Sequence, residues 1–454
     1  MEGEMYIPTD LVNKKEIKVE KPVRESILKK MAIEVRKYKE FIDYATDKVE
    51  AAAQNETNRE IYGVLNKRQE MVRNGETDLS HSVRVDTKRG LIMMDAYLDN
   101  REDQELGVKG TPHMWILNVG VDEATRYNGM DQEQLKDFMT SQIKESEISV
   151  LLHGWGGNSM VFLEAAKNFL RMRGEGEKPQ VALAASIFGA EKTLIDKDNY
   201  SFTTAAKQVG NLVEKISKSE MFGDIKERIT EVLGHSMGGY VATEMSTMYD
   251  QELPNAKFIA HTAVMEGLHN KKELRDMEEL QEEHVKMLSQ FWGKTLKFFT
   301  GLPNPGIGNF ELPVHDIAMS VGDKLLLTRY MFDRLMLDKK DESLRSVRAA
   351  TSWELLNDAN CLQLDTKLLA DAESFRKRAM LHKIHDAVVN NRLVMVTAEK
   401  DGILHPKHNI AFAEANNIQN KVLMNEGHYV SDNGWKEIRN WLNGLTKNPL
   451  SQVG

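Results

Sequence analysis

The chain has 454 residues, 41% of them apolar and 28% charged, with a formal net charge of −9. These proportions suit a soluble globular protein, and the length exceeds one small core, so one large domain with insertions, or two domains, is expected. The acidic balance, with no basic patch interleaved with aromatics, argues against general nucleic-acid binding, and a single cysteine, Cys361, rules out an intrachain disulfide and suits a reducing compartment.

Residues 1–21 read as a polar tail; the acidic start at Met1–Met5 lacks the basic and apolar parts of a signal peptide, so a cytoplasmic protein is expected. No apolar run approaches membrane-spanning length. From Pro22 to Gly75 the pattern is helical. Leu28, Met31, Val35, Tyr38, Ile42, Ala45 and Val49 form a heptad seam, and Thr57-x-x-Glu60 reads as a capping box opening a second helix. A helical hairpin is expected, either lying on the body of its own chain or pairing with a second copy. Residues 82–85, 90–98 and 114–119 read as strands, the antiparallel start of a sheet. Residues 121–145 are acidic and helical or loop.

The texture then alternates. Ile148–Leu152 is a continuous apolar run of the buried parallel type and ends in His153-Gly154-Trp155-Gly156-Gly157. A helix follows over 160–172, a strand over 181–187, an amphipathic helix over 202–219, a strand over 229–233, a helix after Gly238 and a strand over 258–264. Strands alternating with helices at this spacing imply a mostly parallel α/β sheet. The alternation stops at residue 269, where a mainly helical stretch runs to 390 and is broken at Gly301–Gly306. It resumes with strands at 392–397 and 421–424. The stretch is therefore an insertion at the carboxyl edge of the sheet, where open α/β folds bind ligands, and a cap is the natural reading. Phe291, Trp292, Phe298 and Phe299 are candidates to line it, or to form its own core. The expected division is 1–80, an N-terminal helical extension; 81–268, the first part of the core; 269–390, the cap; and 391–454, the second part of the core.

Gly234-His235-Ser236-Met237-Gly238-Gly239 sits between the strand at 229–233 and a helix. Strand, Gly-x-Ser-x-Gly, helix is the nucleophile-elbow context: a strained turn exposes the serine hydroxyl, glycines leave room for close packing, and the helix start supplies free N–H groups. A serine hydroxyl needs a base, an acid to orient that base, and donors for the oxyanion it creates. His428, in the Gly-containing loop past the last strand, is the candidate base, with His405 and His408 as competitors. Asp401, after the strand at 392–397, is the candidate acid, with Glu399 and Glu266 as rivals. The backbone N–H groups of Trp155 and Met237 are the candidate oxyanion donors, and His153, Gly154 and His235 are expected to contact substrate. No metal set is evident: His382 and His385 lie three apart on a helix but lack matching carboxylates. No phosphate-cradling glycine motif occurs and no cofactor is called for.

On these residues the chain resembles the α/β-hydrolase superfamily: the oxyanion loop at 153–157, the elbow at 234–239, Asp401 within Glu399-Lys400-Asp401-Gly402 and His428 within Glu426-Gly427-His428. The Gly-His-Ser-Met-Gly-Gly form is similar to that of monoacylglycerol lipases and carboxylesterases. The resemblance covers roughly 85–120 and 146–445, less the insertion; the N-terminal helices and the size of the insertion depart from the usual fold. It implies a mostly parallel, twisted, eight-stranded sheet and a triad of Ser236, Asp401 and His428. A serine hydrolase cleaving a carboxylic ester, lipid or other acyl, is the first expectation. Acyl transfer, amide or thioester cleavage and C–C hydrolysis on the same triad are the second. A non-catalytic scaffold that oligomerises through its helical arm is the third.

Overall fold

The computed structural model describes residues 56–74, 82–154, 156–173, 178–196, 200–263, 344–357, 387–388, 390–401 and 406–447. The heptad seam at 28–49, Trp155, Glu266, His382, His385, His405 and the four cap aromatics lie outside the described residues. Of the 269–390 insertion, only the stretch 344–357 and a few residues near 390 fall inside.

The strands are β1 (Ser82–Asp86), β2 (Leu91–Asp99), β3 (Gly110–Asn118), β4 (Glu147–Leu152), β5 (Gln180–Ala185), β6 (Ile229–His235), β7 (Lys257–His261), β8 (Leu393–Ala398) and β9 (Gln419–Leu423). They form one sheet in the order β1-β2-β3-β5-β4-β6-β7-β8-β9. Pairs from β1 to β5 along that order are antiparallel, and all pairs from β5 to β9 are parallel. The apolar runs thus mark every strand, with ends displaced by a few residues. Among the described residues the nine strands are one more than the resemblance implies. The surplus is accounted for by β1, an edge strand hairpinned onto β2; the Asp86 carboxylate accepts the amides of Lys88 and Arg89 at 3.0 Å and closes that turn.

The helices are α1 (Glu56–Asn74), α2 (Val121–Tyr127), α3 (Gln132–Glu145), α4 (Leu163–Phe169), α5 (Phe202–Ser217), α6 (Met237–Met248), α7 (Arg345–Asn357), α8 (Pro406–Ala415) and α9 (Asp432–Lys447). Successive strand residues point to opposite faces, so Ile92, Met94, Trp115, Leu117 and Val232 join one core with α2, α3, α5, α6 and α8. Leu91, Met93, Met114, Ile116 and Leu233 join a second core with α1, α4, α7 and α9. Both faces are covered, which is why the parallel strands read as unbroken apolar runs. The helix expected over 160–172 opens as a 3₁₀ turn at Ser159–Phe162 before α4 begins. The second helix of the expected hairpin is α1; it starts at Glu56, so Thr57 lies inside it rather than capping it. Its Ile61, Leu65 and Arg68, spaced by helical turns, are buried against the sheet and α7, so this helix is held by its own chain. Among the described residues no helix is long and apolar enough to cross a membrane.

A buried ion pair fixes α9 across the sheet. Arg439 donates to both carboxylate oxygens of Glu231 on β6, and its Nε donates to the Phe169 carbonyl at 2.6 Å. Ser149 Oγ and Gln180 Nε2 complete the shell of Glu231 at 2.6 and 3.0 Å. Burial, the largest single influence, pushes the Glu231 carboxyl up, but the Arg439 charge and the hydrogen bonds from Arg439 and Ser149 together hold the group below its ordinary range. Arg439→Met leaves a carboxylate buried and unpaired, so unfolding free energy should fall by about 3–5 kcal/mol, read as a lower urea midpoint. The double variant Glu231→Gln/Arg439→Met leaves no buried charge and should lose less than the single one.

Candidate active site

The expected site residues that are described collect at the carboxyl ends of the parallel strands. Ser236 occupies the single residue between β6 and α6, with φ 54° and ψ −118°. Positive φ is costly for a residue with a Cβ and persists only where the surroundings over-determine it. Here the Ser236 amide donates to the His261 carbonyl at 2.9 Å, and the turn is packed backbone to backbone. A Cβ on Gly234 would stand 1.9 Å from the Gly238 oxygen, and one on Gly238 would stand 2.2 Å from the Leu152 oxygen. These glycines are steric requirements of the turn. Met237 is the first residue of α6, and its amide belongs to the first turn, whose N–H groups have no partner inside the helix.

The loop after β4 lies against this turn. A Cβ on Gly154 would stand 2.7 Å from Ser236 Cβ. His153 Nδ1 meets the Gly154 carbonyl at 2.8 Å, and its Nε2 meets the Ile187 amide at 2.9 Å. A carbonyl only accepts and an amide N–H only donates, so the ring is neutral with its proton on Nδ1. Burial lowers its pKa to about 4. His153, expected to touch substrate, is instead fully enclosed with both nitrogens bonded to backbone. It shapes the loop.

Asp401 and His428 meet across the loops that follow β8 and β9. Asp401 Oδ2 lies 2.8 Å from His428 Nδ1, and both side chains are buried. A carboxylate accepts, so Nδ1 carries a proton; in the neutral ring Nε2 then holds the lone pair that a general base would need. The rival Glu399 is engaged elsewhere, its Oε2 accepting the Asn425 amide at 2.8 Å. With the Lys400 amide donating to the Glu426 carbonyl, also at 2.8 Å, it fastens the Asp401 loop to the His428 loop. His408 lies on α8. The last link, from Ser236 Oγ to His428 Nε2, is not formed as a hydrogen bond; such contacts are often long before substrate binds. The His428 ring lies beside that of His235, the residue preceding Ser236, with centroids 4.8 Å apart.

Behind the base is a buried imidazole pair. His235 and His261 are partners in the β6–β7 register, and their Nδ1 atoms are 3.3 Å apart. A hydrogen bond between two imidazole nitrogens needs one donor and one acceptor, so the rings hold opposite tautomers. The Nε2 atoms of both are buried without a partner. Thr262 Oγ1 lies 3.0 Å from His235 Nδ1 and 3.5 Å from the His428 carbonyl. Thr262 has φ 41°, unusual for a β-branched residue, so the chain is bent sharply at the end of β7 to bring this hydroxyl in. Burial, then the proximity of His428, lowers the His261 pKa to about 3 and the His235 pKa well below its ordinary value. Neither ring adds a positive charge beside the base. The sequence marked His235 but not His261 or Thr262; their apolar strand context hid them, and only strand order makes them neighbours.

A small cavity adjoins the elbow. Its lining includes Gly154, His235, Phe162, Val347, Val430 and Trp435, mostly apolar, and the space in it open to water is about 30 Å³. That is room for one or two waters. Among the described residues no cluster of three or more His, Cys, Asp or Glu side chains is placed to hold a metal.

His153, His235 and His261 are neutral in the fold and ionise near pH 6.5 when unfolded. Between that pH and their lowered folded values only the unfolded chain binds these protons. Stability should therefore be level above about pH 6.5 and fall steadily as the pH drops towards 4, measured as melting temperature against pH. His261→Phe should flatten part of that slope.

No protein-family model matches the sequence, and no curated protein sequence matches it. Solved structures do. A peroxisomal alpha-beta-hydrolase from Saccharomyces cerevisiae aligns over 82% of this chain and 92% of its own, at 12% identity and a TM-score of 0.46. A bacterial membrane phospholipase A aligns over 85% and 94%, at 14% identity and a TM-score of 0.44. An esterase from Exiguobacterium antarcticum aligns over 67% and 93%, at 16% identity and a TM-score of 0.37. These are distant likenesses of fold, and the chemistry rests on the side chains described above.

Proposed function

We propose that this chain, an α/β-hydrolase by its strand order, its two helix layers and its elbow, is a serine hydrolase that cleaves a carboxylic ester through an acyl-enzyme. The observation that carries the reading is the buried Asp401–His428 hydrogen bond, its imidazole against His235, the residue that precedes Ser236 in its strained turn. His428 Nε2 takes the Ser236 proton as Oγ attacks the ester carbonyl. Asp401 holds the Nδ1–H and stabilises the imidazolium. The Met237 amide, with that of Trp155, holds the oxyanion. The tetrahedral species collapses as His428 returns the proton to the departing alcohol. Water then repeats the sequence, and the acid leaves with Ser236 restored.

The apolar lining beside Gly154 and His235 favours an uncharged acyl group. The 269–390 insertion acts as a cap that excludes water from the reacting groups. With α1 folded onto its own body, assembly into a homo-oligomer would fall to the residues before it. Acyl transfer and cleavage of amides, thioesters or C–C bonds use the same groups, and fold does not choose among them.

A fluorophosphonate probe should label the wild type and fail on Ser236→Ala. His428→Ala should lower kcat on p-nitrophenyl esters by at least ~10³-fold, and Asp401→Asn by ~10²–10⁴-fold, with KM little changed. A panel of ester chain lengths, amides and thioesters reads the substrate class. A folded wild type that no probe labels would sink the proposal in favour of a scaffold.

A further inference from the structure

The 3₁₀ turn at Ser159–Phe162 follows directly on the loop that faces Ser236, and its first residues are gripped by two elements from opposite ends of the chain. Asn158 is the cap of that turn. Its Oδ1 accepts the Met160 amide at 3.0 Å, which leaves Nδ2 to donate, and Nδ2 donates to Glu354 Oε1 of α7 at 2.9 Å. Ser159 Oγ accepts from Arg68 Nη1 of α1 at 2.7 Å, and the Ser159 amide donates to Ser186 Oγ at 3.0 Å. All of these side chains are buried.

The two grips are joined to each other. Arg68 Nη1 also donates to Glu191 Oε1 at 3.1 Å, and its Nη2 pairs with Asp95, which Arg84 supports from β1. Ser186 Oγ donates to the same Glu191 oxygen at 2.6 Å, while the Glu191 amide donates to both oxygens of Glu354, at 3.2 and 3.3 Å. Glu191 itself has φ 60°, as has Lys192, so the loop after β5 is bent to present both its carboxylate and its amide. Trp353 Nε1 of α7 reaches Asn66 Oδ1 of α1 at 2.9 Å and closes the circuit. In the opposite direction, Val347 and Thr351 of the same helix line the cavity beside the elbow.

We propose that Arg68 and Glu354 are positioning residues for the oxyanion loop: α1 and α7 form one buried ionic clamp that fixes Asn158–Ser159, and through them the loop facing Ser236. This rests on the serine-hydrolase reading. α1 belongs to the N-terminal extension and α7 to the insertion, the two parts of the chain that depart from the usual fold. Neither touches the reacting atoms through the clamp. Each sets where the loop's backbone sits. Oriented backbone donors lose catalytic power when displaced by about an ångström, up to ~10²-fold, without any loss of chemical groups.

The test exchanges the two partners of one contact in the full-length protein. Asn158→Asp keeps the cap acceptor, removes the Nδ2–H donor and sets a carboxylate against Glu354. The rate constant for fluorophosphonate labelling and kcat on a p-nitrophenyl ester should fall by about tenfold or more, with KM nearly unchanged. Adding Glu354→Gln restores a donor–acceptor pair with the roles reversed and should bring both rates back to within ~3-fold of wild type. Arg68→Lys keeps the charge but loses the fork that spans Ser159, Glu191 and Asp95, and should lower kcat in the same way. Melting temperatures are read alongside. A clamp that is structural only would shift those temperatures and leave labelling of the folded fraction at the wild-type rate, which overturns the proposal, as does a double variant no faster than Asn158→Asp alone. A wild type that the probe does not label overturns the hydrolase reading itself, and this inference with it.

Discussion

The site depends on one packing constraint, the near contact of three backbone segments where β6 turns into α6. Gly238 lies so close to the end of β4 that no side chain fits between them, and Gly234 lies equally close to Gly238. This crowding does two things. It holds Ser236 in a conformation that a free serine avoids. It also fixes the loop after β4 at the distance where Gly154 touches the serine's Cβ. Nucleophile and loop are thereby set by main-chain contacts, which hydrophobic packing on both sheet faces holds rigid.

Around that rigid point the polar groups divide by environment. Asp401 and His428 come from loops beyond β8 and β9, tied together by Glu399 and the Lys400 amide. His153, His235 and His261 are enclosed and kept neutral by burial, so the only imidazole paired with a carboxylate among these four is His428. A second imidazolium at the 4.8 Å separation of His235 would oppose the charge that the proposed mechanism places on His428. Enclosure of the neighbours and pairing of the base therefore serve the same end.

Much of this was legible in the sequence, for definite reasons. Buried parallel strands lose the alternation of exposed ones, so Ile148–Leu152 and Ile229–Leu233 announced themselves as apolar runs. The elbow's glycines are required by sterics, and a motif fixed by sterics survives as letters. Asp401 and His428 were legible because each ends a strand-to-loop passage at the same sheet edge. Trp155 and the aromatics of the cap fall outside the described residues, as does the heptad seam. What the letters hid were lateral relations. His261 meets His235 only because β7 lies beside β6. Arg68 meets Glu191 across 123 intervening positions, and Asn158 meets Glu354 across 196. An arginine on a charged helix reads as solvated until the fold places carboxylates on both sides of it. His153 read as a candidate substrate contact, whereas its ring is turned inward to bind backbone.

The pairing of β7 with β8 joins Phe258 to Leu393. Ring-closure entropy grows only with the logarithm of the span, so replacing a crossover of ordinary length by this detour costs about 2 kcal/mol at most. At equilibrium the detour is nearly neutral, but in time it is not. During synthesis Ser236 leaves the ribosome long before the strand that must lie beside β7, and His428 follows later still. The nascent chain therefore holds an open sheet edge at β7 until the last two strands arrive, and that interval is when unpaired edges invite association with other chains.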